Sequence, residues 1–186
     1  MERLPERSHF PADQAGRGEE CGRGCSLERE APEKGSKRLG EWEGDPGVER
    51  QKAVVDASVC AKWFLDEDYS ESARLLRDSF VTGRLGISVP SLLFYETLNA
   101  LRYSGLYDER ELGLAAESLS KYGFDVWSPR GQVYSETAHV SVGHDVSVYD
   151  ASYVALSMLL HAPFYTVDRE LLEKFPRLAR HVKSFQ

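Results

Sequence analysis

From Ala53 to the C-terminus, short β-branched runs alternate with helix-periodic segments, and that alternation restricts the chain to folds built on a parallel sheet. Ala53 to Val55 predicts a first strand, and Ser58 to Leu65 a helix with Val59, Trp63 and Phe64 turned inward. Ser70 to Phe80 sets Ala73, Leu76 and Phe80 at helical spacing, and Gly83 and Gly86 lead into a strand from Ile87 to Val89, closed by Pro90. Ser91 is placed to cap a helix running to about Tyr103 and stopped by Gly105. Asp108 opens the next, through Leu112, Ala115, Ala116 and Leu119 to Tyr122. Phe124 to Trp127 predicts a third strand, Gln132 to Val142 and Ser147 to Leu160 two more helices, and Phe164 to Val167 a fourth strand. A short helix from Arg169 to Phe175 and a final strand from Val182 to Phe185 complete the series. The expected fold class is α/β, a three-layer sandwich with a central, mainly parallel sheet of four to five strands flanked by helices.

A chain of 186 residues suffices for one such domain and its core. Met1 to Lys52 has a different character, rich in Glu, Arg, Gly and Pro and poor in large apolar residues. It cannot bury enough surface to offset its ordering entropy, which predicts a disordered N-terminal extension over residues 1–52 ahead of a folded domain over 53–186. Cys21 and Cys25 in CGRGC lack the second Cys or His pair a zinc site needs and read as incidental thiols, while Cys60 falls on an apolar helix and reads as core. The next methionine after Met1 is Met158. Translation from a non-AUG codon near Val48 would bypass the tail, a hypothesis that an intact mass including Met1 would sink. No apolar stretch is long enough for a signal-peptide core or a bilayer span, which predicts a cytoplasmic protein without membrane contact. Scarce Asn and Gln beside abundant Glu and Arg fit a thermophilic source.

Ligands of parallel α/β sheets sit beyond the carboxyl ends of the strands. Asp56 directly follows the first strand, Asp168 directly follows the fourth, and Asp150 lies in the first turn of a helix that returns toward the same edge. Each also has a purely structural reading. Asp56 and Asp168 suit the N-caps of the helices that follow them, and Ser147 with Asp150 fits a capping box. Glu96 resists such a reading, because it shares its helical line with Leu92, Ala100 and Tyr103, and no Lys or Arg on that face offers a counter-charge. Asn99 follows by three residues and could share the face as a supporting donor, or be a plain surface amide. Four carboxylates without a matching His or Cys set suit hard cations, Mg²⁺ or Mn²⁺, rather than zinc. The chemistry such clusters serve is phosphoryl transfer, in which one or two ions activate water and neutralise the scissile phosphate.

Three segments, VVDASVCAKWFLDED, FYETLNAL and SVYDASYVALSMLLHAPFYTVDREL, resemble the PIN-domain superfamily and, within it, the VapC-type toxins of toxin–antitoxin pairs. The resemblance spans about Ala53 to Phe185, and VYDASYVALS followed by TVDREL is its most specific element. It implies a metal-dependent endoribonuclease, usually a homodimer, silenced by a cognate antitoxin that covers the acidic groove. It aligns Asp56, Glu96, Asp150 and Asp168 with the acidic metal-binding quartet, and Ser58 with a small hydroxyl that orients a carboxylate or a water. An RNA-processing nuclease without an antitoxin, and a non-catalytic PIN-fold module that binds RNA or a protein partner, are the alternatives. A haloacid-dehalogenase-type phosphatase needs a second Asp where Ser58 stands, and a receiver domain needs a lysine after a late strand, where this chain has Asp168.

The net charge of −7 has the wrong sign for an RNA binder, so contact with RNA must come from the metals and from local cations. Lys62, Arg102, Arg130 and Arg169 are candidates, each with a solvated surface role as the alternative. His139, His144 and His161 pair with no nucleophile in sequence and point to no chemistry. The Ser91 to Tyr122 hairpin, with Phe94, Leu98, Leu101, Tyr103, Leu106, Leu114 and Leu119, carries enough apolar surface for either a dimer contact or an internal core.

Overall fold

The computed structural model describes residues 51–185. Most of the N-terminal extension, with Cys21, Cys25 and Val48, lies outside the described residues; Gln51 and Lys52 do not, because the first strand begins at Gln51 rather than Ala53. Among the described residues no helix is long and apolar enough to cross a membrane.

Five strands form one sheet, every neighbouring pair parallel: β1 (Gln51–Val55), β2 (Leu85–Pro90), β3 (Asp125–Trp127), β4 (Phe164–Thr166) and β5 (Ala179–His181). Their order is β3-β2-β1-β4-β5. The chain therefore walks outward from β1 to β3, returns to the other side of β1, and walks outward again to β5. Seven helices fill the connections: α1 (Ala57–Ala61), α2 (Ser70–Val81), α3 (Leu93–Tyr103), α4 (Glu109–Lys121), α5 (Gly131–His144), α6 (Val148–Leu160) and α7 (Arg169–Lys174). Right-handed crossovers on such an order put α1 to α4 on one face and α5 to α7 on the other. The packing agrees: α1 meets α2 and α3, α3 meets α4, and α5 meets α6, which lies on β1 and β2. A strand covered on both faces has no polar side, and Ala53, Val54 and Val55 are all fully buried.

Four local expectations are corrected by longer-range packing. The first helix stops at Ala61, and the chain continues in tight turns that drive Trp63 against Tyr122 and Phe124, with ring centroids 5.0 and 5.9 Å away. Ser91 does not cap α3. Its N–H instead donates to the Trp127 carbonyl, extending the β2–β3 ladder by one rung, and α3 begins beyond Leu92 with no side-chain cap. The last strand lies at Ala179–His181, earlier than Val182 to Phe185, and the apolar Val182 is buried in a 3-10 turn. Ser147 with Asp150 is half a capping box: Ser147 Oγ accepts from the Asp150 N–H, but the Asp150 carboxylate accepts a hydrogen bond from the Ser147 hydroxyl rather than from its backbone N–H. Among the described residues the complete box is at α4, where Asp108 and Glu111 satisfy each other's backbone N–H groups.

Candidate active site

The sheet changes winding direction between β1 and β4, which opens a crevice at their carboxyl ends. Asp56 leaves β1 and Asp168 follows β4 on its two sides, α3 brings Glu96, and the first turn of α6 brings Asp150. All four acids line one cleft of about 480 Å³, with Ser58, Ala100 and Arg169.

Asp56 holds the N-cap position of α1 but makes no side-chain cap bond. Its Oδ2 accepts two hydroxyls instead, Ser58 Oγ and Thr166 Oγ1, each at 2.6 Å. It is 9% exposed, and burial pushes its carboxyl up; the hydrogen bonds from Ser58 and Thr166 pull it back, and the charge of Asp150 pushes it further. Glu96 Oε2 accepts the Tyr153 hydroxyl at 2.6 Å. Burial raises its carboxyl too, opposed by that bond and reinforced by the charges of Asp56 and Asp150. Asp168 does cap its helix, Oδ1 accepting the Leu171 N–H at 2.9 Å, so a structural role is in place for this acid. No ion pair among the described residues involves any of the four.

Converging, partly buried carboxylates with no cationic side chain bonded to them suit a hard divalent cation, whose charge would offset the burial that raises Asp56 and Glu96 and the smaller repulsion between the acids. Among the described residues no three His, Cys, Asp or Glu side chains are grouped closely enough to hold one ion as they stand. Sharing an ion therefore requires side-chain rotation, for which half-buried Glu96 and Asp150 have room.

Two members of this network are absent from the sequence reading. Tyr153 is buried on α6 one turn beyond Asp150, and that spacing alone placed both on one helical face. Thr166 ends β4, donates to Asp56 and accepts the Asp168 N–H at 2.9 Å, joining the acids on both sides of the crevice. Thr166→Val keeps the shape but strips both bonds from a fully buried position, so it should cost about 1–3 kcal/mol in chemical denaturation, with Thr166→Ser recovering most of it.

The remaining candidates sort plainly. Lys62 is buried and bonded to Glu67 at 2.7 Å, so its charge already has a partner within the protein. Asn99 is exposed and makes no hydrogen bond to the four acids; Ala100 is the neighbour that lines the cleft. Arg102 is exposed near the Tyr103 ring, Arg130 is exposed at the start of α5, and Arg169 lines the cleft while pairing with Glu173 at 3.2 Å. His139, His144 and His161 are exposed and none lines the cleft.

The raised acids set a pH dependence. The folded chain holds protons on Asp56 and Glu96 more tightly than the unfolded chain does, so this contribution to stability is lost as pH rises from the ordinary carboxylate pKa of about 4 through the folded values. In chelator, the urea midpoint should fall more for the wild type than for Asp56→Asn between about pH 5 and pH 8. Equal slopes would remove Asp56 as the source.

A five-stranded parallel sandwich with acids gathered at its switch point defines a class of α/β protein with an acidic cleft. The PIN domain matches residues 53–179, and the chain belongs to the PIN-domain family. It is 34% identical over 132 residues to Ribonuclease VapC3 of Pyrobaculum aerophilum, covering 68% of this chain and 97% of that protein. The crystal structure of PAE2754 from Pyrobaculum aerophilum is similar with a TM-score of 0.54 and 26% identity, over 74% of this chain and 94% of that one. VapC20 of Mycobacterium tuberculosis, described as a sarcin-ricin loop cleaving toxin, shares the fold at a TM-score of 0.52 and 19% identity, over 63% of this chain and 90% of that one.

Proposed function

We propose that this chain is a divalent-metal-dependent endoribonuclease and the toxin of a toxin–antitoxin pair. The observation that carries the reading is Asp56, a buried carboxylate at the switch point, oriented by two hydroxyls and facing other acids without a cationic partner. Similarity to a ribonuclease over nearly all of that enzyme's length supports RNA as the substrate.

Asp56, Glu96 and Asp150 would hold one or two Mg²⁺ or Mn²⁺ ions, with Asp168 assisting directly or through water. Bound there, the metal supplies charge to neutralise the scissile phosphate and lowers the pKa of the attacking water. Ser58 and Thr166 fix the Asp56 carboxylate, and Tyr153 fixes Glu96, so donor atoms are aimed before substrate arrives. Arg169, at the cleft edge, is the cation placed to meet a phosphate. A homodimer through the α3–α4 hairpin is part of the proposal: Leu101 and Leu119 are buried in the protein's own core, while Tyr95, Tyr103, Leu106 and Leu114 are exposed. A cognate antitoxin would cover the cleft.

The purified chain should cleave RNA with Mg²⁺ or Mn²⁺ and not in chelator. Cleavage that persists in chelator removes the metal role, and failure under every divalent cation tried removes the nuclease. Growth arrest on expression, relieved by a small co-expressed DNA-binding partner, separates a toxin from an RNA-processing enzyme.

A further inference from the structure

Beside the acid cleft, at the carboxyl ends of β2 and β3, lies a second concavity of about 270 Å³. Three aromatic rings stand in its otherwise aliphatic and hydroxyl-bearing wall: Trp127 at the end of β3, Tyr134 in the first turn of α5, and Tyr149 in the first turn of α6. Trp127 is anchored, its Nε1 donating to Asp125 Oδ2 at 3.0 Å, an atom that also accepts Ser88 Oγ at 2.8 Å. Tyr134 and Tyr149 are instead 57% and 64% exposed. We propose that this concavity is a subsite for one unpaired nucleobase of the RNA, adjoining the phosphate held over the acids; it rests on the nuclease reading above.

Five observations favour a base. The two concavities share their supports: Asp150 sits between Tyr149 and Ser152 on α6, and Leu92 lies one turn before Glu96 at the start of α3. One helical turn is about 5.4 Å, so a nucleotide whose phosphate reaches the acids has its base within reach of the rings. Aromatic walls accept any base, because every base has a π-face to stack. Polar groups remain for its edge. Thr137 and Ser152 spend their hydroxyls on the carbonyls of Val133 and Tyr149, whereas those of Ser91 and Ser128 make no hydrogen bond among the described residues. Arg130, directly after Pro129 of the pocket wall, is exposed and joins no ion pair among the described residues, leaving it available to a flanking phosphate. The volume falls below the roughly 300–1,000 Å³ of drug-sized ligand sites, which suits one ring system better than the apolar face of a peptide helix.

The test is fluorescence anisotropy of a dye-labelled single-stranded RNA octamer, with the full wild-type chain as parent and Ca²⁺, a hard cation that also takes carboxylate oxygens, in place of Mg²⁺, and the octamer checked to be intact after each titration. Adding Tyr134→Ala and Tyr149→Ala should weaken binding roughly tenfold, while Tyr→Phe at both sites should hold it within about twofold, since stacking survives. A set of octamers, each with one abasic position, should contain one that binds the parent more weakly but binds the double-alanine protein like the unmodified strand. Unchanged affinity in the double-alanine protein, or additive losses for every abasic position, overturns the subsite and leaves the nuclease reading intact. Unchanged RNA affinity with an altered elution volume overturns it in favour of a protein-docking surface. A parent that binds no RNA with Ca²⁺ and cleaves none with Mg²⁺ or Mn²⁺ overturns both.

Discussion

Asp56→Asn should abolish Mg²⁺-dependent cleavage of RNA, by more than the roughly 10–100-fold that loss of an outer-shell partner costs a metal site, while the protein stays folded. The substitution removes a charge that burial already disfavours and that no cationic side chain offsets. The Asn carbonyl can still accept the Ser58 and Thr166 hydroxyls, but those bonds lose the strength that an ionised acceptor gives them. Relief of the buried charge and this loss oppose each other, so chemical denaturation in chelator should find the variant within about 1 kcal/mol of wild type. Divalent cations should then separate the two. Mg²⁺ or Mn²⁺ raises the stability of wild type in proportion to RT ln(1 + [L]/Kd), and raises that of the variant little or not at all. Full activity in the variant would defeat the assignment of the site. Equal stabilisation of both by the ion would move the metal elsewhere.

Phe164→Ala should be the most destabilising of the substitutions considered, by about 3–5 kcal/mol, against a total stability of about 5–15 kcal/mol for a domain of this kind. Phe164 is fully buried in β4, in register between Val54 of β1 and Ala179 of β5, so its neighbours have little freedom to collapse into the space it leaves. It also lies almost parallel to the Tyr153 ring, at 19° with centroids 5.9 Å apart. Tyr153 in turn holds Glu96, so the loss should reach the acid cleft. The urea midpoint measures the stability term, and cleavage assayed where the variant remains folded should still be reduced. Phe164→Leu, which keeps most of the volume, should cost no more than about 1.5 kcal/mol and retain activity. Equal activity of the folded alanine variant and wild type would show that the Tyr153–Glu96 bond does not depend on the core behind it.

The two strand-end aspartates show how far local reading goes. In sequence they are equivalent, each following a β-branched run and each suited to cap a helix. In the structure Asp168 caps and Asp56 does not: the Asp56 carboxylate accepts the hydroxyls of Ser58 and Thr166 in place of a backbone N–H of its helix. Ser58 is two residues away and was legible; Thr166 is 110 residues away and was not. Glu96 was legible as an acid without a counter-charge, while its partner Tyr153, 57 residues on, was not. Lys62 looked like a surface cation because sequence shows charge but not burial, and its pairing with Glu67 appears only once the chain leaves α1.

By itself the sequence determined the periodicities, and through them the alternation of strands and helices, the parallel sheet, and the acids that end strands. These are short-range properties, set by which side chains recur every two or every three to four residues. Tertiary structure decided which of those acids is held by hydroxyls, which caps a helix, and where an aromatic pocket opens beside them. Those outcomes depend on strand order, which brings β4 against β1 across more than a hundred residues and leaves no trace in local spacing.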